Sequence, residues 1–569
     1  MNWRFLSYLG GSILVAVLAV TKPGCDYSPP AEDTMASTGE FNPGAAGLAN
    51  PPVTPNRALS EEDLERKKAI LDGALKLIQS SATSSGGNPF QQATKNLNQY
   101  FEGTAPADFA LAPATRSYLL RQMPEQVVKG LEVPKFTDRD ARHLEDCMLY
   151  SSIATRVAGT GDDLTRVGRV FDWMVRQVQL IPPESLYSPT LGPVYSRPFD
   201  VLLRGMATEA EGSWAERSWL FMSLCRQLGI DVGLVTYTPR GQKEPIVWLC
   251  AALIDGKAYL FDARIGMAIP GPDGTGVATL DEAIKDPVVL DRLDLPGQSP
   301  YATSRVALLN SPSKIGILID SSMGYLSGRM RLLQQSLAGG NRTILHRDPA
   351  DQHDKFAEAL GARFGGATLW EFPAMVETLL FTDSRFVQAS LQALVLFDPK
   401  FPLLQARMKQ LRGEAGEAIP ELVTMRKKEN ATLADKKTPM PKEAQQALDI
   451  YGTYYLGLSN LDLNKLDLAE GFFRDTLAML PEPGPGLPYY HMYRWGAQAN
   501  LARLYEARGD VARAAEYYSQ ADPTSQHHGH LLRARNLIWR EPTAPLPPPL
   551  PPAPPSLPRA PGTALNKGG

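Results

Sequence analysis

A helix that stops at a glycine and runs directly into three strand-forming stretches sets the frame for this chain. Helical spacing covers residues 212–228 and ends at Gly229, which accepts the left-handed conformation of a helix cap. Residues 230–237 and 245–254 are rich in β-branched and aromatic side chains, and Asp255-Gly256 is the preferred two-residue hairpin turn into 257–261. One helix earlier, Leu164, Val167, Val170, Phe171, Met174, Val175 and Val178 recur at helical spacing after Asp162, until Pro182-Pro183 halts the pattern. The order helix, helix, strand, strand, strand predicts an α+β core over 161–277. A small αβ connector is expected at 278–373, with candidate strands at 314–319 and 342–345 around an amphipathic helix.

With 569 residues the chain exceeds what one hydrophobic core usually serves, so a multidomain α+β architecture is expected. Residues 57–160 read as a helical lead-in, with Ser60 before Glu61, Glu62 and Asp63 as a capped start and further helical patterns near 91–101, 114–123 and 138–157. Residues 374–540 read as helical throughout. Residues 26–56 have the Pro, Ala, Gly, Ser and Thr composition of a flexible tether, and the proline runs of 541–569 favour an extended polyproline tail.

The first 25 residues read as an export signal, with Arg4 before an apolar run too short for a membrane span. Gly24-Cys25 resembles a bacterial lipoprotein signal, which implies lipidation at Cys25. Lys22 and Pro23 stand where that signal prefers a leucine and a small residue, so an uncleaved anchor and ordinary secretion are the alternatives. The expected location is the cell envelope, exported and tethered to a membrane. A net charge of −3 with 21% charged residues gives no broad cationic surface, which argues against a nucleic-acid partner.

Gly212, Trp214, Ser218, Leu220, Phe221, Leu224, Arg226, Leu228, Gly229 and Ile230 are spaced as in the core helix of the transglutaminase-like superfamily, which this segment resembles. Trp248 matches the tryptophan of that family's second strand and Asp262 the aspartate after its last strand. The resemblance implies a papain-like core in which a cysteine attacks an amide, a histidine moves protons and an aspartate orients it. Here the cysteine position holds Trp214 and the histidine position holds Ile246, so only Asp262 is retained. None of the seven histidines falls within 162–277. The catalytic set is therefore expected to be empty, and the former groove to be lined by Trp214, Ile246 and Trp248, filled by these side chains or holding an apolar peptide.

Four cysteines with no closely spaced pair exclude a disulfide scaffold and a zinc ribbon. Cys225 and Cys250 are the thiols left for a rival reading, an active enzyme using a non-standard nucleophile; Cys250 shares a strand face with Ile246 by the two-residue period. No cofactor or metal is expected, since His527, His528 and His530 read as solvated loop residues.

Leu456, Gly457, Ala469 and Phe473, then Leu501, Ala502, Tyr505, Ala514 and Tyr518, resemble the small and large positions of tetratricopeptide repeats. Residues 481–488 loop out between the two copies. The resemblance implies a concave surface for a protein or peptide partner. The combined reading is a tethered, non-catalytic scaffold, a combination similar to envelope proteins of planctomycete-like bacteria.

Overall fold

The computed structural model describes residues 61–538, apart from 81–88, 104, 189–190, 210–213, 296–300, 302–304, 310–313, 337–342, 427–438 and 481–488. The expected anchor with Cys25, the tether, the tail and the loop at 481–488 lie outside the described residues. Among the described residues no helix is long and apolar enough to cross a membrane.

The architecture is mixed α+β. Lead-in helices form at Glu61–Ser80, Pro89–Tyr100, Pro113–Leu120 and Asp138–Ala158, the last opened by a capping box of Thr137 and Asp140. Asp162 caps the helix Asp163–Gln177, and the strands Asp231–Tyr237, Ile246–Ile254 and Lys257–Asp262 follow the buried helix Ala215–Gln227. Asp255 and Gly256 both take positive φ, as the tight turn requires.

These strands lie in a six-stranded sheet ordered Phe364–Trp370, Ile315–Asp320, Asp231–Tyr237, Ile246–Ile254, Lys257–Asp262 and Met267–Ala268. Two of the six come from the expected connector, so segment 278–373 extends the sheet of the αβ core instead of standing apart. Over its described residues, 343–345, the strand expected at 342–345 does not form. The backbone of Ile344 and the Leu345 N–H pair with the side-chain amides of Gln227 and Gln334 instead of a sheet ladder.

Leu234 pairs with Cys250 while Thr236 pairs with Val247, so Trp248 and Leu249 together face Val235. This β-bulge inverts the side-chain alternation between Ile246 and Cys250. The face shared by those two residues, expected from the two-residue period, is thereby broken.

Hairpins of antiparallel helices follow: Leu403–Arg412 with Ala415–Arg426, Lys442–Asp462 with Leu466–Met479, and Tyr493–Ala507 with Val511–Tyr518, then Gln526–Ile538. Their first helices lie against the αβ core. The short helix Pro198–Arg204 ends with carbonyls that have no partner inside the helix. Arg407 donates to the Leu202 carbonyl at 2.7 Å, Tyr455 to Leu203 at 2.8 Å and Tyr493 to Arg204 at 2.7 Å. Asp462 accepts from Trp173 and Gln177 of the αβ core. One apolar cluster therefore runs from Leu149 through the sheet to Ala514.

Candidate functional site

Trp214 stands at the N-cap of the helix Ala215–Gln227, 8% exposed and without a side-chain cap bond. Glu216, in the first turn, fixes what surrounds that helix end. Its carboxylate accepts the backbone N–H groups of Ser196 and Thr208, each at 2.5 Å, with the Arg204 guanidinium 3.7 Å away. Burial pushes this carboxyl up to about 7 despite those partners.

Asp262 closes the strand Lys257–Asp262. One oxygen accepts the N–H groups of Arg264 and Ile265 at 2.8 and 3.3 Å, capping the turn that follows. The other accepts the Tyr301 hydroxyl at 2.6 Å. Tyr301 in turn accepts the Trp248 indole N–H at 3.2 Å. The Arg264 guanidinium lies 5.5 Å from the centre of the Trp214 ring, 5.2 Å from that of Tyr301 and 3.5 Å from Asp262.

Three of the four residues singled out from the sequence, Trp214, Trp248 and Asp262, are thus joined through Tyr301 and Arg264. The fourth, Ile246, is 37% exposed at the start of its strand, on the far side of the bulge, and the expected lining by all three apolar residues does not hold. Trp214, Trp248 and Asp262 are themselves buried. Sequence spacing could not find Tyr301, which lies 39 residues beyond its aspartate.

The thiols are buried. Cys225 and Cys250 are fully inaccessible and unpaired, burial pushing Cys250 up to about 12 and Cys225 well up. A thiol held neutral is a poor nucleophile. A third thiol, Cys147, does meet a histidine: its sulfur lies 3.5 Å from His143 Nε2, one helical turn away, and donates to the Tyr325 hydroxyl at 3.3 Å. The i, i+4 spacing of His143 and Cys147 was the available signal for this pair. Burial pushes His143 down to about 4 and Cys147 up, and His143 Nε2 donates to the Leu345 carbonyl, so the pair stays uncharged and is not poised for proton transfer.

The repeat positions Leu456, Gly457, Ala469, Phe473, Leu501, Ala502, Tyr505, Ala514 and Tyr518 are all buried. They pack the hairpins and are not available to touch a partner. The histidines near 530 do not form a solvated loop. They sit on the helix Gln526–Ile538, where His530 is buried and His528 donates to the Leu293 carbonyl at 2.8 Å. Among the described residues no group of histidine, cysteine and carboxylate side chains could hold a metal ion. No family model, curated protein or solved structure matches the chain.

Proposed function

We propose that this chain is a non-catalytic binding protein in which a degenerate transglutaminase-like core is clasped by tetratricopeptide-like hairpins. The observation that carries the reading is the carboxylate of Asp262. Its hydrogen-bonding capacity is taken by its own turn, Tyr301 and Arg264, where the resembling family would orient a histidine. The helix, strand, hairpin and terminal aspartate in that order support the resemblance, as do small residues at the hairpin contacts. We propose further that the chain is exported and held at a membrane through residues 1–25, which rests on the signal-like sequence alone.

Because the first helices of the hairpins face the core, the surface left for a protein partner is that of the second helices, Leu466–Met479 and Val511–Tyr518. Leu468, 54% exposed, and Val511, 40% exposed, stand on it. In-cell crosslinking of the full chain is expected to capture a selective partner that the double variant Leu468→Glu/Val511→Glu loses while remaining folded. Equal capture by both chains removes the hairpins from the binding role.

The rival reading, an enzyme using Cys225 or Cys250, predicts amine incorporation or peptide cleavage that Cys225→Ala/Cys250→Ala abolishes. No turnover by the wild type is expected, and turnover lost in that variant would overturn the proposal.

A further inference from the structure

A cavity of about 440 Å³, whose lining includes none of Trp214, Trp248, Asp262 and Tyr301, opens between the helices Asp138–Ala158, Ala215–Gln227 and Glu371–Thr382 and the segment 322–329. Its size is that of a small-molecule site. Five cationic side chains line it, Lys135, Arg139, Arg142, Arg197 and Arg329, against three carboxyl groups, Asp140, Asp146 and Glu377.

Arg197 is held by Asp146 at 2.6 Å and Asp200 at 3.2 Å, and Arg329 by Asp140 and the carbonyls of Gly130 and Val133, so these two serve the wall. Arg139 and Arg142 are exposed, with guanidinium groups 4.4 and 4.6 Å from the centre of the Phe381 ring. Val127 and Phe381, each 37% exposed, also line the cavity and give this end an apolar rim.

The inner wall carries unused polar capacity. Tyr150 is 3% exposed, and its hydroxyl has no hydrogen-bond partner among the described residues. Glu377 accepts the Met323 N–H, and burial pushes it up to about 8. Pushed toward its neutral form by burial, Glu377 offsets less of the nearby guanidinium charge than an ionised carboxylate would.

We propose that this cavity binds a small organic anion, its charged group held by Arg139 and Arg142 and its apolar body along Val127, Leu380 and Phe381. A hydroxyl or carbonyl on that body would answer Tyr150. Guanidinium pairs suit a carboxylate or phosphate group, and the apolar wall selects an organic carrier over the free inorganic ion.

Two fluorescent probes with the same apolar body test this on the full chain: anilinonaphthalene sulfonate, which is anionic, and phenylnaphthylamine, which is neutral. The sulfonate is expected to fill a single saturable site and to bind about tenfold more weakly in Arg139→Gln/Arg142→Gln, losing charge-assisted contacts, while the neutral probe is unaffected. Both arginines are exposed, so the variant's melting temperature should stay at the wild-type value. Benzoate should displace the sulfonate and inorganic phosphate should not. Absence of saturable binding, equal sulfonate affinity in the variant, or displacement by phosphate and not by benzoate would each overturn the proposal.

Discussion

Tyr301 shows how one side chain decides what a carboxylate can do. Its hydroxyl donates to Asp262 and accepts from Trp248, so a single atom satisfies two buried groups. Tyr301→Phe keeps the ring and removes that atom, leaving one carboxylate oxygen with only Arg264 at 3.5 Å and the indole N–H without its partner. The expected cost is about 1–3 kcal/mol, the usual penalty for stranding a buried polar group, read from urea unfolding. A cost indistinguishable from zero would mean that water replaces the hydroxyl and that the surroundings of Asp262 are more open than the packing indicates. At this scale the sequence was legible where chemistry was absent: Trp214 and Ile246 cannot act as nucleophile or base, whatever surrounds them. The partners of Asp262 were not legible, because Tyr301 and Arg264 reach it through folding and not through spacing.

Elements carrying strong local signals were legible almost to the residue. The strands Asp231–Tyr237, Ile246–Ile254 and Lys257–Asp262 had β-branched content and a hairpin turn to mark them. The edge strand Phe364–Trp370 had neither, since Gly365 and Gly366 dilute its pattern and break its register. Gln179–Ile181 and Met206–Thr208, three residues each, are too short to show any period. The bulge at Trp248 and Leu249 left no trace in the sequence and inverted the assignment of a whole strand face.

The helical hairpins were legible through their small residues, and those residues make a paired prediction. A Cβ at Gly457 would stand 2.6 Å from the Phe473 ring, whereas one at Gly471 meets nothing within 4 Å. Gly457→Ala should therefore destabilise by about 1–3 kcal/mol through overpacking. Gly471→Ala, on the exposed side of the same hairpin, should stabilise by about 0.5–1 kcal/mol from helix propensity. The same change in both directions, measured by urea unfolding, would establish the close helix approach; two gains would refute it.

The whole molecule is organised around an interior that belongs to no single segment. Arg407, Tyr455 and Tyr493 close the carbonyl end of the helix Pro198–Arg204, and the apolar cluster continues from the sheet into the hairpins. A boundary near residue 374 was expected because the sequence turns uniformly helical there. Composition reports local structure and says nothing of which surfaces meet, so the clasp of hairpins on core could not be read in advance. Its consequence for function is direct: the inner faces of the hairpins serve the core, and the thiols of that core are sealed from solvent. The most direct measurement of this account is the reaction of the folded full-length chain with iodoacetamide at neutral pH, read by peptide mapping so that Cys25 is scored separately. Cys147, Cys225 and Cys250 are predicted to stay unmodified until the chain is unfolded by denaturant. Rapid, stoichiometric labelling of Cys225 or Cys250 in the folded chain would reveal an accessible thiolate and contradict the non-catalytic reading.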